Sequence, residues 1–266
     1  MSNSYKKRKP ATLITGGSRG IGFALADLFA RRGETLYLVA RDLKQLQHSA
    51  YELKKNWECE VFILSADLME NDAANTILKK IKQDGFYVET LINSAAIAYT
   101  DEFANSHFET IKSLAQLNMI TPTELTHRCI EEMQEHGGGG ILNIASFAGL
   151  MPVPKLALYS ASKSYLIALT RALSEELQKK NIKISVVVPG PVDTEFLYQS
   201  EGSTPQLVPM LTPESVAQVS YEGFLAGQTI ITPGFLGIFY RIGIKLLPHK
   251  LLTWTLRPLI NLIYLR

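Results

Sequence analysis

Short apolar runs alternate with longer stretches whose apolar residues recur every three or four positions, and the rhythm persists from Ala11 to about residue 232. Ala11 to Ile14, Thr35 to Ala40, Val61 to Leu64, Thr90 to Asn93, Ile141 to Ala145 and Lys183 to Val188 read as strands. Between the first two, Phe23, Ala24, Leu25, Leu28 and Phe29 fall at helical spacing, and Arg31-Arg32-Gly33 supplies a stop. Asp42, with Gln45 three residues on, marks the start of a helix through about Asn56. Ala73 to Ile81, Phe108 to Glu135 and Leu158 to Lys180 are helical patterns, with a kink expected at Pro122 and a stop at Gly137 to Gly140. Thr212-Pro213-Glu214 opens a helix to about Leu225, and Thr229 to Thr232 is a candidate seventh strand. Strands alternating with helices in this way predict an α/β fold, a doubly wound parallel sheet with helices on both faces.

The chain is 266 residues long and of ordinary globular composition. No repeat or Pro/Ser-rich linker divides it, so the expectation is a single domain over 11–232. A basic, disordered leader (1–10) precedes it and an apolar helical extension (233–266) follows. The polar stretch 198–211, after the sixth strand, is long for a connector and reads as a substrate lid.

The net charge of +2 hides an asymmetry. Lys6, Lys7, Arg8 and Lys9 make the leader basic, and from Phe235 onward Arg241, Lys245, Lys250, Arg257 and Arg266 stand without an acid. Nucleic acid is not the expected partner, since the body carries neither zinc spacing nor a basic helix. The extension is apolar but interrupted by Arg241, Lys245, Pro248, Lys250 and Arg257, which leaves no uninterrupted apolar run of ~18 residues to span a bilayer. Its cations share helical faces, and Trp254 and Tyr264 suit an interfacial belt. Peripheral membrane contact and a tail that covers its own cleft or packs in an oligomer both fit this pattern.

Cys59 and Cys129 form no disulfide framework and have no metal-ligand spacing, which points to a reducing, cytoplasmic setting. His107, His127 and His136 lack a second ligand at metal spacing and read as helix-surface or cap residues; Met119 and Phe147 read as packing.

Two clusters carry chemistry. Thr15-Gly16-Gly17-Ser18-Arg19-Gly20-Ile21-Gly22 joins the first strand to the first helix. Glycines there allow a close backbone approach, and the helix start offers unpaired N–H groups to a pyrophosphate. The second cluster is Ser146 at the end of strand five with Tyr159 and Lys163, four apart on one helical face. A free phenol has a pKa of ~10, and lowering it by ~3 units takes ~4 kcal/mol. An ammonium ~4 Å away contributes about that much at an effective dielectric of 20. Such a pair suits proton exchange with a carbonyl or alcohol.

Taken together over Ala11 to Ala226, these motifs resemble the short-chain dehydrogenase/reductase family, a single-domain Rossmann-like fold. The resemblance implies that Ser146, Tyr159, Lys163 and the helical Asn118 form a catalytic tetrad, with Asn118 ordering a relay water. It also implies that cofactor is bound by Gly16, Ser18, Arg19, Gly20, Ile21, Gly22, Asp67, Leu68, Asn93, Ala95, Tyr159, Lys163, Pro189, Gly190, Val192 and Thr194. Where the family usually carries Asn-Asn-Ala-Gly, this chain has Asn93-Ser94-Ala95-Ala96. Strand two ends in Arg41 rather than an acid; with Arg19 it makes a clamp for a 2′-phosphate, which favours NADP(H) over NAD(H).

The expected activity is reduction of a carbonyl on a hydrophobic substrate such as a long-chain keto lipid, by a resemblance to lipid-directed members including 3-ketosphinganine reductases. A homodimer or homotetramer is the expected assembly. The competing expectations are an NADP-binding sensor or scaffold without turnover, and a membrane-associated assembly component.

Overall fold

The computed structural model describes residues 8–195 and 210–234. Among the described residues seven parallel strands form one sheet in the order β3-β2-β1-β4-β5-β6-β7: β1 Lys9–Thr15, β2 Leu36–Ala40, β3 Val61–Ser65, β4 Phe86–Asn93, β5 Gly139–Ile144, β6 Ile182–Val187 and β7 Ile230–Ile231. The α-helices among the described residues are α1 Gly20–Ala30, α2 Leu43–Asn56, α3 Ala73–Gln83, α4 Phe108–Ala115, α5 Thr121–Glu135, α6 Ala157–Leu177 and α7 Pro213–Leu225.

The near-continuous apolar runs follow from burial on both faces. Leu36, Leu38, Ile14 and Leu142 join one core with α1, α2 and α7. Their neighbours Tyr37, Val39, Leu13 and Ile141 point the other way, into a second core with α3, α5 and α6. Side-chain alternation along each strand therefore feeds two cores at once. The chain starts in the middle of the sheet, winds out to β3, and returns to place β4 beside β1. That reversal opens a crevice at the carboxyl ends of β1 and β4, where Thr15 lies opposite Asn93.

Several capping expectations appear as built. The Asp42 side chain accepts from the Gln45 N–H at 3.1 Å, and Thr212 accepts from the Ser215 N–H at 3.1 Å ahead of Pro213. Strand four begins four residues before the expected Thr90, and the reason is a bulge. Ala11 pairs with Val88 and Thr12 with Thr90, so Glu89 is left out of the ladder and exposed, which broke the apolar run in the sequence. The leader boundary also moves: Lys9 and Pro10 pair with Phe86 and Tyr87 in β1, and Arg8 forms an ion pair with Glu132.

The long helix expected from Phe108 to Glu135 is divided. Gln116–Ile120 forms a π-helical turn between α4 and α5, just before Pro122. Pro122 has no N–H to give the Asn118 carbonyl, so the regular ladder cannot run through this point. Of the expected lid only Met210 and Leu211 are described, and of the extension only Pro233 and Gly234; the rest of both lies outside the described residues. Leu211 bridges to Val192, which joins the two chain segments flanking 196–209.

Candidate active site

The crevice is a cavity of about 710 Å³ at the carboxyl edge of the sheet, within the size range of ligand-binding clefts. One half is made by the glycine turn and the ends of β2 and β3. Gly16 sits at φ +66°, and a Cβ there would come within 2.9 Å of the Ala95 nitrogen. Only glycine lets the turn lie this close to the loop after β4. Thr15 ties the same two pieces together: its hydroxyl donates to the Ile92 carbonyl and accepts from the Ser94 and Ala95 N–H groups. From behind, Ser49 on α2 donates to the Ser18 carbonyl at 2.9 Å. This leaves Ser18, Arg19, Gly20 and Ile21 facing the cavity at the start of α1, where free N–H groups and the helix dipole favour an anion.

Arg41 and Asp42 line the cavity from the end of β2, and Asp67 and Leu68 from the end of β3. Asp67 accepts from the Met69 N–H, which fixes its loop. Because Asp42 caps α2 through Oδ1, one of its carboxylate oxygens is engaged before any ribose reaches it. No ion pair joins Arg41 to Asp42 among the described residues. Arg41 thus brings a cation to this corner beside an aspartate that already caps a helix.

The other half holds the buried polar side chains. Ser146, two residues beyond β5, opens a 3-10 turn, Phe147–Leu150, and accepts from the Ala148 N–H at 3.2 Å. That contact uses a lone pair and leaves the serine proton to be donated into the cavity. The turn docks on α6 through Gly149, where a Cβ would lie 2.7 Å from the Lys163 carbonyl carbon. Ser164 then donates to the Gly149 carbonyl at 2.6 Å. Ser146 and Lys163, seventeen residues apart in sequence, are held together by this contact.

Lys163 is 3% exposed and Tyr159 7%. Lys163 Nζ donates to the Ile144 carbonyl at 2.9 Å and stands 5.6 Å from the centre of the Tyr159 ring. Burial pushes its pKa down to about 8. An ammonium this deeply placed is weakly screened, so its influence on a neighbouring phenol is large for its distance.

The cavity gathers most of the expected residues: Gly16, Ser18, Arg19, Gly20, Ile21, Arg41, Asp67, Leu68, Ala95, Ser146, Tyr159, Lys163, Pro189, Gly190, Val192 and Thr194. Three expected residues stand behind its wall. Gly22 is inside α1, where a Cβ would meet the Gly16 carbonyl oxygen at 2.2 Å, so its part is to let helix and turn close on each other. Asn93 donates to Asn143 at 2.8 Å and Thr126 at 3.3 Å, a buried polar crossbrace beneath the cavity. Asn118 spends its side chain on the loop after β4, accepting from the Ile97 N–H and donating to the Ile97 carbonyl and to Ser162. Both amide N–H groups of Asn118 are thus taken by neighbours within the fold. Gly149, Gln45, Ile97, Ala98, Leu156 and Glu195 were not expected at the site; all but Gly149 line it.

Other sequence expectations have plain structural outcomes. Cys129 is buried with its thiol pushed up to about 12, and Cys59 is half-buried with its thiol also raised by burial. His136 stacks on Tyr87 with ring centres 3.8 Å apart, and Phe147 is core. Among the described residues no group of His, Cys, Asp and Glu could hold a metal, and no helix is long and apolar enough to cross a membrane.

Comparison with known proteins places this arrangement. The profile of a family described as short chain dehydrogenase matches residues 10–203. Ketoacyl reductase HetN of Nostoc sp. is 33% identical over 206 residues, covering 77% of this chain and 71% of that protein. The very-long-chain 3-oxoacyl-CoA reductase of Mus musculus is 31% identical over 190 residues, 69% of this chain and 60% of that protein. A short-chain dehydrogenase from Sphingobium yanoikuyae, solved in complex with NADPH, superposes with a TM-score of 0.81 at 28% identity, covering 89% of this chain and 93% of its own.

Proposed function

This chain belongs to the short-chain dehydrogenase/reductase family, and on that premise we propose that it reduces a ketone carried on a long apolar chain, using NADPH. The enzyme class is that of the relatives, NADP-dependent oxidoreductases acting on carbonyls or alcohols. One observation carries the reading: buried Ser146, Tyr159 and Lys163 share a single cavity with two arginines, Arg19 and Arg41, and the aspartate beside Arg41 already accepts the cap bond of α2. The cofactor, when bound, supplies the hydride.

The protein's own part is acid catalysis and positioning. Tyr159 gives its proton to the carbonyl oxygen as that oxygen gains charge. Ser146 donates a hydrogen bond to the same oxygen, which holds the carbonyl and stabilises the developing alkoxide. Lys163 keeps a positive charge beside Tyr159, so the phenolate left behind is cheap to form. The proton on Tyr159 is then replaced by way of Lys163 and water held at the Asn118 main chain, where Pro122 supplies no competing N–H. Asn93, Asn143 and Thr170 support the site from below, with Asn143 donating to Thr170 at 2.9 Å.

The substrate reading rests on an apolar part of the wall: Ile97, Ala98 and Leu156 line the cavity and pack in one cluster with Tyr159. An aliphatic chain is favoured there at roughly 0.8 kcal/mol per buried methylene. The ketoacyl and very-long-chain 3-oxoacyl-CoA relatives accord with it. NADPH oxidation across 3-keto esters of increasing chain length is the direct test. kcat/KM should climb about fourfold per added methylene until the cavity is filled. A preference for small polar ketones would reject the apolar substrate. Tight NADPH binding without turnover of any carbonyl would reject the enzyme reading in favour of a binding protein.

A further inference from the structure

One contact at the cavity mouth is not used by the reaction above. Arg19 Nη1 is paired with Glu195 Oε2, joining the glycine turn to the segment that follows β6. A second contact runs beside it: a Cβ on Gly20 would lie 3.3 Å from Thr194 Cγ2, so residues 194 and 195 rest on the start of α1. Arg19 and Glu195 both line the cavity, and their side chains are 43% and 61% exposed.

We propose that Glu195 is a cofactor-selectivity residue: its carboxylate holds the Arg19 guanidinium until a 2′-phosphate replaces it, which lowers affinity for the phosphorylated cofactor. The inference rests on the reading of Arg19 and Arg41 as a phosphate clamp. A guanidinium grips phosphate best with two N–H groups of one edge, and here Nη1 is already given to a carboxylate. Phosphate and carboxylate are like charges converging on one cation, so each weakens the other's hold. Exposed ion pairs are worth at most about a factor of five, which makes the exchange easy and its effect modest. NADH carries no 2′-phosphate, so for that cofactor the Arg19–Glu195 pair survives binding. Glu195 therefore narrows the gap between the two cofactors.

The test is fluorescence titration of NADPH and NADH onto the full chain without substrate, comparing wild type, E195Q, R19A and the double variant. E195Q should tighten NADPH by about three- to fivefold and change NADH by less than about twofold. In the R19A background, E195Q should have no further effect on NADPH, because the two residues act through one contact. If R19A weakens NADPH but E195Q alone leaves it unchanged or weaker, Glu195 is inert or orients Arg19, and the selectivity role is overturned. If R19A leaves NADPH as tight as wild type, Arg19 is no part of a clamp, and both readings fall together.

Discussion

The two halves of the cavity are built by opposite means. The nucleotide half is mostly backbone, a glycine turn braced by Thr15 and Ser49, with its charged groups, Arg19 and Arg41, reaching into it from exposed positions. The chemical half is side chain, and every member is buried: Ser146 at 8%, Tyr159 at 7% and Lys163 at 3%. The difference sets what each half can do. Charges exposed to water are screened and act by degrees, so they tune affinity. Charges and protons held out of water act strongly on their neighbours, so they set rate. Substitutions in the two halves should therefore separate into binding and turnover effects.

The largest expected effect comes from the chemical half. Tyr159→Phe removes the proton donor and keeps the ring that packs with Leu114, Phe147 and Met151. Turnover should fall by about a thousandfold, while NADPH titration without substrate stays within about threefold of wild type. Equal losses in both measurements would show that the two halves are not separate.

A smaller effect in the same half comes through pH. Lys163 is pushed down to about 8 by burial from an ordinary lysine value of 10.5, so the charge that supports Tyr159 is present below that pH and lost as pH rises through it. kcat/KM for NADPH, which reports groups in the free enzyme, should decline above about pH 8 by up to tenfold per pH unit. Stability should move in the opposite sense. Between about 8 and 10.5 the unfolded chain holds a proton that the folded chain has released, so folding becomes more favourable as pH rises through that window. A rate profile flat to pH 10 would show that no charge lost in this range supports Tyr159.

The same contrast explains what could be read from the chain. Strand and helix order was legible because burial on both faces of the sheet leaves a periodic trace, and the capping pairs Asp42–Gln45 and Thr212–Ser215 are local by nature. Ser146, Tyr159 and Lys163 could be named because two of them share a helix face and the third follows a strand. What held them together was not legible. The docking of Gly149 on Lys163 is a contact between non-adjacent segments, and a single glycine carries no signal for it. Asn118 was assigned by resemblance, and only the structure shows its amide taken up by Ile97 and Ser162. Glu89 hid half of β4 because a bulge looks like the end of a strand.

The smallest effect belongs to the nucleotide half, and it is the one that most sharpens the contrast. Arg41 lies at the end of β2, beside an aspartate already committed to capping α2. Arg41→Ala removes one charge-assisted contact to a phosphate at an exposed site, so NADPH binding should weaken by about tenfold with NADH binding unchanged. The loss should shrink as salt is raised from 50 to 500 mM, because an exposed cation is screened within about a Debye length. kcat at saturating NADPH should hold, since nothing in the Ser146–Tyr159–Lys163 half rests on Arg41. If kcat fell with affinity, or if the loss were the same at both salt concentrations, the exposed half would be setting rate as the buried half does.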